Sequence, residues 1–422
     1  MKIKALLAAA GALVATPALA ETVVIHAGSV VTDAASQPRG PSTITVTDGR
    51  IVSIADGIQP GPAGAEVVEL TDKTVLPGLI DLHVHLTGDP GGDFWKEAVE
   101  PEEWGVVVGA KNARLTALAG FTTVREAGSS QQSGFSLRRG TEEGMIPGPR
   151  IIAAGPPLAI VGGHGDVSGF RPEINQILTS GYTCTGAVEC AEKVRRASQN
   201  GADWIKITAT GGVLSQQGRG LGAHFTSEEM QSIADTAHSL GLKVMAHAHG
   251  ARGIEAASVA GIDTIEHGTY LDDGAIKAMK EHGTVLVPTL MAFQGISERL
   301  GTGTYTPVVE EKVRAVAEAA KVFMGKARDA GVTIAFGTDS GVYEHGRNAQ
   351  EFRLMMGQGM SSREALASAT TVAADVLEME NEIGRLAPGY SADIIAVAGN
   401  PLEDATVLEK VDWVMVRGRV IE

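Results

Sequence analysis

Cysteine is nearly absent: the 422 residues hold two, Cys184 and Cys190. That excludes a small fold stapled by many disulfides, and a zinc site built mainly on thiolates would need more soft ligands than these. Neither cysteine has a base beside it in sequence, which argues against a thiol nucleophile. The close pair is expected to form a disulfide within one loop, with two free thiols as the alternative. Positive charge is also short. Thirty-five Lys and Arg against 50 Asp and Glu leave a formal charge of −15, a poor field for nucleic acid or an anionic membrane. Beyond the first twenty residues no run is long and apolar enough to span a bilayer. Low-complexity linkers and internal repeats are missing too. Aromatic residues are few, at 4%, whereas glycine is plentiful at 53, which suits many tight strand–helix connections and does not suit a coiled coil. The hydrophobic share of 44% is enough for a large core and excludes a disordered chain.

The first twenty residues read as a secretory signal. Lys2 and Lys4 form a positive start, Ala5 to Ala15 an apolar run, and Ala18-Leu19-Ala20 a cleavage site before Glu21. No cysteine follows that site, so nothing suggests a lipid anchor. The expectation is an exported protein.

After the leader come short β-rich runs punctuated by Gly, Pro and Asp, among them Thr22–His26, Thr43–Thr47, Arg50–Ile54 and Val67–Leu70. From about Val75 the pattern becomes strand, then helix, repeated. The β-runs are Leu79–Val84, Thr122–Arg125, Arg150–Ala153, Asp203–Ile207, Lys243–Ala246, Thr264–Glu266, Val285–Pro288 and Thr333–Phe336. Helical stretches fall between most of them, including Pro101–Ala119, Ala187–Asn200, Ser227–Ser239, Ala251–Ala260 and Pro307–Ala330. Eight β-runs alternating with helices predict an α/β chain folded as a (β/α)8 TIM barrel. A doubly wound sheet would place a glycine-rich phosphate turn after the first strand, where this chain has His83-Val84-His85. The C-terminal segments Ala392–Val397 and Trp413–Val420 are again strand-like and are expected to pair with the N-terminal strands. The predicted organisation is a signal peptide at 1–20, a composite β-sandwich domain from 21–75 plus 385–422, and a barrel at 76–384.

Functional groups of such a barrel sit at the C-terminal ends of its strands. His83 and His85 end the first β-run, Lys206 lies in the fourth, His247 and His249 end the fifth, His267 follows the sixth and Asp339 the eighth. Residues i and i+2 of a strand share a face, so His83 and His85 project together, as two imidazoles must to share a metal. Histidines at three strand mouths with an aspartate at a fourth are poorly explained as separate core or surface residues. Imidazole with carboxylate suits Zn2+, with Mn2+, Co2+ and Fe2+ as competitors. Lys206 is flanked by apolar residues, and burial drives a lysine toward its neutral amine. It reads either as the partner of a nearby acid or as an amine that has added CO2 to become a bridging carbamate.

The run Leu76-Pro77-Gly78-Leu79-Ile80-Asp81-Leu82-His83-Val84-His85 resembles the opening of the metal-dependent amidohydrolase superfamily. Lys206 in its strand, His247, Glu266-His267-Gly268, Gly337-Thr338-Asp339 and Pro388–Ile394 extend the likeness over the rest of the chain, in the family order. Gly162-Gly163-His164-Gly165, Thr210-Gly211-Gly212 and Ala246-His247-Ala248-His249 are similar to the branch of imidazolonepropionase-like enzymes and Xaa-Pro dipeptidases. Within it the chain looks closest to bacterial amidohydrolases that cleave ochratoxin A, an N-acylated phenylalanine. The resemblance implies two divalent metal ions. His83, His85 and Asp339 would hold one, and His247 and His267 the other, with a carbamate on Lys206 and a hydroxide between them; His249 lies outside that ligand set. It implies that Asp339 moves the proton and that the chain is a homo-oligomer. The implied reaction is hydrolysis of the C-terminal amide of a dipeptide or N-acyl amino acid. A cyclic amide or lactone hydrolase on the same metals, or a non-catalytic barrel, stands as the alternative. His164, on its glycine-rich loop, is the candidate for binding the substrate carbonyl or carboxylate, and Tyr270 for the carboxylate. Arg219, His345 and Arg347 are weaker candidates for an anionic substrate, and Val161, Leu214, Leu290, Met291 and Phe293 for an apolar pocket.

Overall fold

The computed structural model describes residues 22–91, 94–167, 169–216 and 221–422; the leader at 1–20 and Arg219 lie outside them. Four strands open the described chain: β1 (Thr22–Val30), β2 (Ser42–Thr47), β3 (Arg50–Asp56) and β4 (Glu66–Pro77). Seven more follow, β5 (Leu79–Val84), β6 (Phe121–Glu126), β7 (Arg150–Ala153), β8 (Trp204–Thr208), β9 (Lys243–Gly250), β10 (Thr264–Tyr270) and β11 (Val285–Val287). The last three are β12 (Ile394–Val397), β13 (Val411–Val416) and β14 (Arg419–Val420).

Both chain ends meet in one sheet, ordered β14-β13-β12-β4-β1-β2-β3. Only β1 and β4 run parallel in it. The sheet curls over its own core: Ile44, Val46 and Ile51 from one end share an apolar cluster with Ile394, Ala396 and Met415 from the other. The β2–β3 turn at Gly49 meets the β13–β14 turn, where a Cβ on Gly49 would lie 2.7 Å from the Arg417 carbonyl oxygen. The expected sandwich is therefore a single continuous sheet folded on itself, with the 12-residue β4 as its spine.

The barrel strands pair in parallel as β5-β6-β7 and as β8-β9-β10-β11. Three bridges close the ring: Leu158 with Ile207, Leu286 with Ile334, and Ser340 with Val84. The eighth run thus occupies its place without a continuous ladder. Two features of its sequence break the ladder. Gly337 passes so close to β11 that a Cβ would lie 2.3 Å from Val287, and Asp339 is left-handed, with φ 61°. The chain is a (β/α)8 barrel with a small β-domain made by its two ends.

Period two sorts each barrel strand. Ile205, Ile207, Val244, Ala246, Ala248 and Ile265 join the apolar layer against the outer helices. Trp204, Met245 and Val287 face inward, where Ala373, Ala374 and Ile383 plug the bottom. Lys206, His247, His249 and Glu266 share that inward face by alternation and sit above the plug. The expected helix at 307–330 breaks in two, Pro307–Ala319 and Phe323–Asp329, which lets Phe323 and Met324 turn into the core.

Candidate metal centre

The seven chemistry-bearing residues at the strand mouths come together in two groups. In the first, His83, His85 and Asp339 offer ligand atoms within 4.8 Å of one another. Asp339 Oδ1 lies 3.5 Å from His83 Nε2 and 3.3 Å from His85 Nε2. The far nitrogens are engaged: His83 Nδ1 is 2.7 Å from Glu266 and His85 Nδ1 is 2.8 Å from the Gly128 carbonyl. That fixes each ring and leaves Nε2 for a ligand.

The second group is His247, His249 and His267, again within 4.8 Å. His267 Nδ1 meets Thr289 Oγ1 at 2.7 Å, and His249 Nδ1 meets Thr269 Oγ1 at 2.7 Å. His247 is turned the other way, with Nε2 3.3 Å from the Gly211 carbonyl, so Nδ1 is its open nitrogen. His249 therefore stands with the ligand candidates in space, although its place in the sequence motif set it apart. Lys206 joins the groups, with Nζ 3.4 Å from His83 Nε2, and the His83 and His267 rings are 5.2 Å apart.

The donor set fits divalent cations. Burial, followed by Lys206, lowers His83 to about 4, with Asp339 and Glu266 in partial opposition. Burial takes His249 to about 3. Both imidazoles are thus neutral at pH 7, the form that binds metal. Burial also lowers Lys206 to about 8, against the pull of Glu266 and Asp339. Three of the six non-glycine residues with positive φ among the described ones belong here: His267, Thr289 and Asp339. Such backbone costs about 1–3 kcal/mol per residue and persists only where surrounding contacts enforce it.

Those contacts include residues without a role assigned from sequence. Arg125, fully buried, donates to Glu266 at 2.8 Å and to the Leu82 carbonyl at 2.7 Å, and its guanidinium lies 4.5 Å over the Trp204 ring. Burial alone would raise the Glu266 carboxyl, but Arg125, His83 and Lys206 hold it at about 2. Asp81 accepts from the His83 and Thr338 amides at 3.0 and 3.1 Å, tying β5 to the eighth run. A charged residue on the inward face of a barrel strand was the available signal for Arg125 and Glu266.

The proposed substrate residues separate. His164 lies beside the second group, its ring 4.2 Å from that of His247. Its ring packs over Gly212, where a Cβ would come within 2.4 Å, and Ser215 Oγ holds Nδ1 at 2.7 Å. Tyr270 ends β10 with its hydroxyl donating to the Ala315 carbonyl at 3.1 Å. His345 is buried beside Thr116 and the Gly88 carbonyl, and Arg347 pairs with Glu298 and Glu344. Phe293 stacks edge-on 6.2 Å from His249, whereas Val161 is exposed. Leu290 and Met291 are buried, and Leu214 packs against the outer apolar layer.

A model of the Amidohydrolase family matches residues 74–421. The chain belongs to this family. This amidohydrolase is 32% identical over 362 residues to the ochratoxinase of Aspergillus niger, covering 80% of the chain and 72% of the relative. It is 28% identical over 353 residues to the imidazolonepropionase of Paracoccus denitrificans, covering 77% and 79%. A crystal structure of a Xaa-Pro dipeptidase with methionine bound in its active site superposes with a TM-score of 0.87 at 37% identity, covering 95% of this chain and 100% of that one. The amidohydrolase is a hydrolase acting on amide bonds.

Proposed function

We propose that this amidohydrolase is an exported two-metal enzyme that releases the C-terminal residue of a dipeptide or N-acyl amino acid, with ochratoxin A among its substrates. His83, His85 and Asp339 would hold one cation and His247 and His267 the other, with Lys206, carbamylated by CO2, as a donor available to both. The supporting observation is the convergence of two three-residue ligand groups beside the buried amine of Lys206. Two divalent cations, with Zn2+ the best fit to these donors, supply when bound a polarised carbonyl and an acidified water.

The chain's own residues carry the remaining steps. Asp339 takes the proton from the attacking water and returns it to the departing nitrogen. Glu266 fixes the tautomer of His83 by accepting from its Nδ1, so that Nε2 stays unprotonated. The lowered pKa of Lys206 enlarges the share of neutral amine, the form that adds CO2. Ser215 holds the Nδ1 of His164, leaving Nε2 to donate to the substrate carbonyl or carboxylate. Tyr270 reaches the substrate carboxylate only by releasing the Ala315 carbonyl.

The leader sequence supports export, as does the Cys184–Cys190 disulfide, a bond at home in oxidising compartments. Residues 21–75 and 385–422 form one domain around the 76–384 barrel, and the family likeness supports a homo-oligomer. The deciding experiment is mass-spectrometric analysis of ochratoxin A incubated with purified protein, with and without chelator. Release of phenylalanine that chelation abolishes is expected. No release from protein carrying about two metals per chain would move the substrate to other C-terminal residues, or to cyclic amides and lactones.

A further inference from the structure

One short segment outside both ligand groups reaches each of them. It is the turn that opens the helix Gln350–Gly357 and carries Asn348 and Glu351, both fully buried. The turn is tight, with the Glu351 amide donating to the Asn348 carbonyl at 3.1 Å.

Asn348 points toward the first group. Its Nδ2 donates to Asp81 Oδ2 at 2.8 Å and to Ser340 Oγ at 3.1 Å, and its Oδ1 accepts from the Gly346 amide at 3.1 Å. Asp81 in turn holds the His83 amide and the Thr338 amide and hydroxyl. The ligand-bearing strands are then joined directly, by Asp339 N to His83 O at 2.7 Å and His85 N to Ser340 O at 2.7 Å. The relative placement of His83, His85 and Asp339 depends on this lattice.

Glu351 points toward the second group. Both of its carboxyl oxygens accept, from the amides of Leu290 and Met291, at 2.8 and 2.6 Å. Those amides open the helix Leu290–Ser297, and the residue before them is Thr289. Thr289 is left-handed, with φ 49°, an outlier for a β-branched side chain. Its Oγ1 holds His267 Nδ1. A two-pronged grip on the next two amides is what keeps Thr289 in that conformation and its hydroxyl aimed at the imidazole.

We infer that Asn348 and Glu351 are positioning residues that brace the two halves of the metal centre separately from one turn, Asn348 through Asp81 and Glu351 through Thr289. The inference rests on the two-metal reading above. It goes further by assigning each brace to one half.

The test uses the full chain and three variants: Glu351→Gln, Thr289→Val and Asn348→Ala. Glutamine keeps the shape but turns one of the two acceptors into a donor, and valine removes the hydroxyl that His267 uses. Metal affinities are read by competition with a chromophoric chelator and by Co2+ absorption. Glu351→Gln and Thr289→Val should each weaken one of the two sites about 10–100-fold and leave the other unchanged. Their double variant should lose little more than either alone, because both act through one contact. Asn348→Ala should weaken the opposite site. Equal loss at both sites, or unchanged affinity in folded Glu351→Gln protein, overturns the inference. Hydrogen exchange in metal-stripped protein separates this failure from failure of the two-metal reading. Faster exchange across 286–297 in Glu351→Gln is expected, and unchanged protection overturns the brace whether or not the wild type binds two cations.

Discussion

The two halves of the proposed metal centre are built from different materials. The first contains a carboxylate, Asp339, and is held by a buried ionic lattice in which Glu266 joins His83 to Arg125. The second is three imidazoles held by two threonine hydroxyls and one backbone carbonyl. A divalent cation is attracted to the first half by charge and to the second by neutral nitrogen donors. The first half should therefore hold its cation more tightly, and the second should lose its cation first on dilution or chelation. One barrel mouth can carry unequal sites because each strand brings its own supports.

The sharpest way to break this asymmetry is Asp339→Asn, which keeps shape and removes the charge. Loss of a proton carrier costs typically 10²–10⁴ in rate, and the lost ligand adds to it. We expect kcat to fall at least a thousandfold by this reckoning, and metal analysis to show one tightly held cation missing. Near-normal turnover would end both the role of Asp339 and the ranking of the halves.

Glu266→Gln tests the lattice itself. It leaves the Arg125 guanidinium fully buried opposite a neutral amide. Breaking a buried ion pair from one side costs about 3–5 kcal/mol, against about 1 kcal/mol for Thr269→Val in the second half. Chemical denaturation of metal-stripped proteins measures both. Equal losses would mean that the first half owes nothing special to charge.

Acid should act on both halves, and more on the second. There burial lowers all three imidazoles, whereas in the first Asp339 outweighs burial and raises His85. Burial first, and Lys206 next for His83, lowers His83 to about 4 and His249 to about 3, one imidazole in each half. The unfolded chain binds those protons near pH 6.5 and the folded chain does not. Stability is thus complete above about pH 6.5 and falls as pH drops toward 4, by about 1.4 kcal/mol per pH unit per histidine. Metal-stripped wild type should show this fall in its melting temperature between pH 7 and 5. A flat profile would show that these imidazoles are protonated in the folded state.

The parts of this centre differ in how legible they are in sequence. Strand period converts a spacing of two into a shared face, so His83 and His85 could be paired without coordinates, and their rings lie 5.3 Å apart. Seven of the eight barrel runs are continuous strands for the same reason, since alternation and burial are local. The eighth loses its ladder to a close approach at Gly337 and a left-handed Asp339, both imposed by neighbours distant in sequence. The supports are also non-local. Arg125 and Glu266 are separated by 141 residues, and Leu290 and Glu351 by 61. Tyr270 could be placed at a strand mouth, but the Ala315 carbonyl that accepts its hydrogen bond sits on a helix folded back from 45 residues away. Ligands follow from periodicity; what aims them follows from tertiary packing.

The mildest test lies outside both halves. The Cys184–Cys190 disulfide joins residues six apart, at 1% and 0% exposure, within the apolar layer between barrel and helices. Closing so short a loop restricts the unfolded chain by only about 2 kcal/mol on the chain-entropy account. Cys184→Ala with Cys190→Ala should lower stability by about that amount, plus a small cavity cost. Both metal affinities should stay as they were, because no ligand or brace touches either cysteine. The bridge does lie within the β7–β8 connection, which also carries His164, so substrate KM is the parameter to follow alongside. A change in either metal affinity would mean that the centre draws on the outer layer, and that its two halves are less self-supporting than their hydrogen bonds indicate.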